Sequence, residues 1–153
     1  MVVERFPSHR DAVSIIASDP REKLKSIDQL SSITARLQRT GKKVVLAHGV
    51  FDLLHLGHVR HLEEAKSHGD ILVVTVTADA FVNKGPGKPV FSENLRAEML
   101  CSLSVVDHVA INRAPDAEEL LERLHPNTYV KGADYRDENA DVTGKISRER
   151  EAV

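Results

Sequence analysis

The sequence predicts an α/β fold in which a parallel β-sheet is covered by helices on both faces. Three observations lead there. Four short runs rich in β-branched residues, "KVVLAH" (43–48), "ILVVTVT" (71–77), "HVAIN" (108–112) and "TYVKG" (128–132), are spaced along the chain. They are near-continuously apolar rather than alternating, as strands buried on both faces are. Each pair is separated by a segment with helical periodicity, and a strand–helix–strand succession calls for right-handed crossovers and a parallel sheet.

The elements follow in order. Residues 1–25 read as an N-terminal appendage, in which "SHRDAVSIIASDP" forms a short helix capped by Ser8 and stopped before Pro20. The main domain is expected over 26–153. It opens with a helix in "SIDQLSSITARLQRTGKK", where Ser26 and Gln29 have capping-box spacing and Gly41 closes the C-terminus. After the first strand comes a helix in "HVRHLEEAKSHGD", with Val59, Leu62 and Ala65 on one side and Gly69 at its end. A helix is expected over 92–106, starting at Ser92, and another in "PDAEELLERLHP" with proline in its first turn. There is no internal repeat and no low-complexity segment.

Composition narrows the function classes. At 153 residues the chain is one domain, able to bury roughly two-thirds of its unfolded surface. Lys+Arg 21 against Asp+Glu 23 leaves a net charge of −2, so no basic field points to nucleic acid or an anionic membrane. No apolar run approaches the roughly 20 residues of a membrane span, and "MVVERFPSHRD" lacks the apolar core of a signal peptide. The single Cys101, set in "EMLCSL", reads as a buried structural thiol. A reducing cytoplasm is the expected compartment.

The stretch with chemistry is "GVFDLLHLGH" (49–58), which leaves the first strand at its carboxyl end, where open α/β sheets bind ligands. His55 and His58 are three apart where a helix begins, and three readings are open to them. As metal ligands, with His61 continuing the series, they lack the third and fourth ligands that zinc requires. As structural residues they leave the pairing around Leu56–Gly57 without a reason. As an anion site they join the free N–H groups and positive dipole end of a helix start. On that reading Gly49 and Gly57 let backbone approach the ligand, and both rings donate to phosphate oxygens. Their removal is then expected to leave folding nearly unchanged.

The same stretch resembles the His-x-x-His signature of the cytidylyltransferase-like nucleotidyltransferase superfamily. The resemblance continues through "LEEAKSHGDILVVTVTADAF", "NKGPGKPVFSENLRAEML", "VVDHVAIN" and "YVKGADY", in the order of the sugar-phosphate branch, over about residues 26–136. Nearest is the nucleotidyltransferase domain of the bifunctional ADP-heptose synthases, enzymes that make an activated heptose for lipopolysaccharide. "FDLLH" rather than "FDPxH" separates the chain from the pantetheine-phosphate and nicotinamide-mononucleotide adenylyltransferases. Its length separates it from class I aminoacyl-tRNA synthetases. "KGPGKPVF" is also similar to the phosphoethanolamine cytidylyltransferases, while "VKGADY" matches the heptose-phosphate form "VKGGDY" except at Ala133.

The resemblance implies a Rossmann-like fold of the nucleotidyltransferase variant. It also implies transfer of a nucleoside monophosphate from ATP or CTP to a sugar phosphate, heptose 1-phosphate with ATP being expected, with Mg²⁺ on the triphosphate. His55 and His58 would hold the α-phosphate, with Val50 and Phe51 offering backbone to the nucleotide. "KGPGKP" (84–89) lacks P-loop spacing, and composition alone makes it a solvated turn. The resemblance instead places Lys84 and Lys88 over the phosphates, Lys84 toward the acceptor, with Lys131 facing the nucleotide or sugar phosphate. Arg96 is a further cation in reach, Asp134 and Tyr135 recognise base or sugar, and Asp52 orients the turn or a magnesium-bound water. A homodimer is expected, as is fusion to or pairing with a sugar kinase.

Members of the superfamily finish the site with a later strand and a Ser/Thr-rich motif that grips the β- and γ-phosphates. "GKISREREAV" (144–153) ends the chain without one, so the C-terminal part of the domain is expected to be missing. The alternatives are a cytidylyltransferase acting on glycerol 3-phosphate or a phospho-alcohol, and a non-catalytic nucleotide-binding module.

Overall fold

The structure is a computed structural model and describes residues 18–131. Helix α1 (Ile27–Arg39) is followed by β1 (Val44–Gly49), α2 (Leu56–Lys66), β2 (Ile71–Thr77), α3 (Glu93–Cys101), β3 (His108–Asn112), α4 (Glu118–Leu124) and β4 (Thr128–Val130). The four strands form one parallel sheet in the order β3-β2-β1-β4. The predicted architecture is thus present. The chain steps outward from β1 through β2 to β3, then crosses back to pair β4 on the other side of β1. The reversal falls between β1 and β4, which makes the carboxyl end of β1 the place where a crevice opens.

Both faces of the sheet are covered, which is why its strands have no polar face. Val45, Ala47, Leu72, Val74 and Val76 pack with Leu62 and Ala65 of α2 and with Ala97, Leu100 and Cys101 of α3. Val44, Leu46, Val73 and Ala110 point the other way, onto Leu30 of α1 and Leu120, Leu121 and Leu124 of α4. Burial pushes the Cys101 thiol up to about 11, so it stays an inert protonated core group.

Local chemistry sets most of the ends. Ser26 accepts from the Gln29 amide at 3.1 Å while the Gln29 side chain accepts from the Ser26 amide at 2.9 Å, the reciprocal box expected there. At the other end Gly41, at φ +83°, lets its own amide reach Gln38 O and the Lys42 amide reach Leu37 O, a Schellman closure.

Four boundaries differ from the sequence expectation. Helix α3 ends at Cys101 rather than 106, because Ser102 and Leu103 turn back onto Met99 and Leu100 and deliver β-branched Val105 and Val106 toward the sheet. Helix α4 begins at Glu118, so Pro115 lies outside it; the Asp116 carboxylate accepts from the Glu118 amide and makes a local turn instead. Gly69 does not terminate α2, which ends at Lys66. Its bare Cα admits Lys43 O and Val45, which an added Cβ would meet at 2.8 and 2.7 Å. Finally, residues 18–25 are not separate from the domain. Leu24 bridges Val109, Lys25 N donates to Val109 O at 2.8 Å, and Lys23 Nζ donates to Leu103 O at 2.9 Å. That segment lines the outer edge of β3, which would otherwise stand unpaired. The helix expected in 8–19 and the chain end at 144–153 lie outside the described residues. Among the described residues no helix is long and apolar enough to cross a membrane.

Candidate active site

His55 and His58 are the N-cap and third residue of α2, and each ring does the work of a capping side chain. His55 Nδ1 accepts from the Gly57 amide at 3.0 Å, and His58 Nδ1 accepts from the His55 amide at 3.3 Å. This is the box of α1 rebuilt from imidazoles. It has a chemical consequence. A neutral imidazole has one acceptor and one donor nitrogen, so with both Nδ1 atoms accepting, both protons reside on Nε2. The rings stack with centroids 3.9 Å apart and planes 25° apart. His55 is exposed and His58 half-buried. Burial first, then the charges of His55, His61 and Lys84, hold the His58 ring below its ordinary value and therefore neutral.

Two glycines leave room for rings of the site. A Cβ on Gly57 would lie 2.8 Å from His55 Cε1, and one on Gly49 would lie 3.1 Å from the Phe51 ring. At both positions the site's own rings occupy the space a side chain would need. Phe51, buried at φ +52°, supports His58 edge-on with centroids 5.5 Å apart. No acidic residue stands in the first turn of α2, so nothing competes with an anion at the helix N-terminus.

Lys84 and Lys88 are exposed on the segment between β2 and α3. Lys84 is near enough to depress His58, and Lys88 near enough to stabilise the Asp52 carboxylate. The structure therefore brings both lysines to the histidine turn. Asp52 holds the segment down: its carboxylate accepts from the Val90 amide at 2.7 Å and the Phe91 amide at 3.0 Å. Partial burial would raise that carboxyl, but these amides, the Leu53 amide and Lys88 outweigh it and hold it below its ordinary value. Asp52 thus ties the histidine turn to the lysine segment.

One expected ligand contact is corrected. Arg96 is not a cation within reach of substrate, since its side chain is fully buried and donates to Phe91 O, Val50 O and Asp79 Oδ1. The Val50 carbonyl takes one of these bonds, at 2.7 Å. Lys131 follows β4, one residue beyond the Ala47–Val130 pairing and across the crevice from the turn, with its Nζ 5.7 Å from the Tyr129 ring centroid. Asp134 and Tyr135 lie outside the described residues. Sequence reasoning missed Asp79 and Glu93. Asp79 receives Arg96, and Glu93 accepts from the Asp79 amide at 2.8 Å and pairs with Arg113 at 2.6 Å. The one signal for Asp79 was its place just beyond the carboxyl end of a strand.

This geometry, a β1 turn leading into a histidine-capped helix with lysines opposite, coincides with a profile match. The cytidylyltransferase-like family profile covers residues 46–150. The chain belongs to the cytidylyltransferase-like family. Among relatives of this cytidylyltransferase-like chain is bifunctional protein HldE of Aliarcobacter butzleri, 39% identical over 134 residues, covering 86% of this chain and 28% of that protein. HldE of Geobacter metallireducens is 42% identical over 130 residues, covering 84% and 26%. The chain thus spans 28% and 26% of the length of these two curated relatives. A solved structure, the lipopolysaccharide core biosynthesis protein from Thermoplasma volcanium, has a TM-score of 0.60 at 35% identity, covering 71% of this chain and 88% of that one.

Proposed function

We propose that this chain transfers a nucleoside monophosphate from a nucleoside triphosphate to a sugar phosphate, with release of pyrophosphate, and that ATP and heptose 1-phosphate are its substrates. The observation that carries the reading is the pair of stacked imidazoles at the start of α2, each accepting a backbone amide at Nδ1 and so left with Nε2 as its donor. The similarity to bifunctional HldE proteins and to a protein named for lipopolysaccharide core biosynthesis favours a sugar-phosphate acceptor. It also favours a sugar kinase as fused or separate partner.

The chemistry asks for alignment and charge neutralisation. A phosphate monoester is largely ionised at neutral pH, with a second pKa near about 6, and needs no general base to attack the α-phosphorus. As that phosphorus becomes five-coordinate, its equatorial oxygens gain charge. His55 and His58 donate to them, and the positive end of α2 lies behind. Lys84 and Lys88 close over the phosphates, and Lys131 meets the nucleotide or sugar phosphate from the β4 side. Mg²⁺ is expected with the triphosphate. Among the described residues no cluster of three His, Cys, Asp or Glu side chains could hold a metal ion. Asp52 is committed to two amides. The ion would enter with the triphosphate, as its counter-ion.

The test is pyrophosphate release from ATP or CTP with heptose 1-phosphate or glycerol 3-phosphate, four pairings in all. Release with ATP and heptose 1-phosphate supports the full reading. Release with CTP and glycerol 3-phosphate alone reassigns the substrates, and triphosphate binding without release in any pairing marks a non-catalytic module.

A further inference from the structure

Arg96 is the largest fully buried side chain of the described residues, at 0% exposure. A buried guanidinium is tolerated only where its N–H groups are satisfied. Here Nε donates to Phe91 O at 2.9 Å, Nη1 to Val50 O at 2.7 Å and Nη2 to Asp79 Oδ1 at 2.6 Å. The three acceptors belong to three different places in the site. Asp79 opens the segment that carries Lys84 and Lys88, Phe91 closes it, and Val50 begins the turn that leads to His55. On the outer side Asp52 takes the Val90 and Phe91 amides, so the peptide groups of Phe91 are held from both sides.

We propose that Arg96 is the positioning residue of this site: one buried fork ties both roots of the lysine loop to the histidine turn and sets the distance between them. The inference rests on the nucleotidyl-transfer reading for its kinetic consequence, but its structural content stands without substrate. With the roots fixed, residues 80–90 close over a triphosphate by local motion alone. With them loose, the lysines and the imidazoles lose their common frame, and misplacement by about an ångström is enough to cost about 10²-fold in rate. A lysine at 96 keeps the charge but is a single-point donor that cannot span the three acceptors.

The experiment compares wild-type protein, Arg96→Lys and Asp79→Asn by steady-state kinetics and by residue-resolved amide hydrogen exchange without substrate. Asp79→Asn alters the exposed partner, and it carries the test if Arg96→Lys does not fold. Arg96→Lys is expected to lower kcat by about 10- to 100-fold with the triphosphate KM within about threefold. The Val90 and Phe91 amides should exchange about tenfold faster or more, while amides of β1 and β2 keep their wild-type rates. Asp79→Asn should move the same quantities less. Wild-type exchange at Val90 and Phe91 in both variants, or wild-type kcat in a folded Arg96→Lys, overturns the inference. A wild-type protein that releases no pyrophosphate overturns the functional reading instead, and the exchange data then decide the clamp alone.

Discussion

Asparagine is the substitution that separates the two duties of the histidines. Its side-chain oxygen falls where imidazole Nδ1 stands, two bonds from Cβ, and nothing extends to the Nε2 position. In His55→Asn the Gly57 amide, now bonded to His55 Nδ1 at 3.0 Å, keeps an acceptor while the outward donor is gone. Asparagine is also among the best N-cap residues. The expected loss is that of one transition-state donor, about 10²–10³ in kcat or roughly 3–4 kcal/mol, with a melting temperature within about a degree of wild type. His55→Ala should lose the same activity and a further ~1 kcal/mol of stability, or about 2–4 °C in a domain of this size. The same contrast holds at position 58, where the acceptor serves the His55 amide. Because the rings are also the helix cap, alanine at either position costs stability that asparagine keeps. Single-turnover pyrophosphate release with saturating substrates, alongside thermal unfolding, measures both quantities. His55→Asn turning over within about threefold of wild type would refute the donor role and leave the box as a structural feature.

Two further outcomes follow from the same geometry. Gly57→Ala puts a methyl group 2.8 Å from His55 Cε1, so the ring must rotate off its stacked partner. Activity should fall about as far as in His55→Asn, with stability nearer to His55→Ala, and wild-type activity in this variant would show that ring placement does not matter. His108 and His58 both sit below their ordinary value of 6.5, chiefly through burial, and His108 Nδ1 is buried without a hydrogen-bond partner. Below about pH 6.5 the unfolded chain binds protons that the folded rings refuse, so stability falls as pH drops from that value toward the folded pKa values. Urea unfolding at pH 7.5 and 5.5 should show the decline, and His108→Leu should flatten part of it; an unchanged slope would assign the decline elsewhere.

What the sequence disclosed and what it hid divide along a physical line. Strands buried on both faces announce themselves by composition, and a capping box by spacing, so β1, β2, β3 and the start of α1 were legible. The imidazole pair was legible as a pair because two polar residues at i and i+3 on a helix start need a reason. Arg96 was not, since a charged residue in "ENLRAEML" reads as solvent-facing. The available signal was its place four residues before Leu100, on the stripe that also holds Ala97 and Cys101. That stripe says a position is covered but cannot say by what, and the Val50 carbonyl comes from 46 residues away in the chain. The tautomer of the histidines was hidden for the same reason: it depends on which backbone amides face Nδ1.

The same chain contains an internal control for why imidazole is used. Helix α1 closes its first turn with Ser26 and Gln29, helix α2 with His55 and His58, and both boxes satisfy the same class of amide. The best side chain at the third position of such a box is glutamate, which also favours the positive helix end by about 0.3–1 kcal/mol. A carboxylate there would meet an incoming phosphate at close range. At about 4 Å the repulsion between unit charges is ~1 kcal/mol in bulk water and ~4 kcal/mol at an effective dielectric near 20. His58→Glu should therefore unfold at or above the wild-type temperature and yet bind triphosphate about 5- to 1000-fold more weakly, with transfer lost. Affinity by isothermal titration and unfolding by calorimetry give the two numbers. A variant both more stable and still able to bind would mean that the anion does not sit at this helix start. The opposite signs expected for stability and binding follow from one requirement: a helix start that receives phosphate must be capped by a group that accepts inward and donates outward, and neutral imidazole does both.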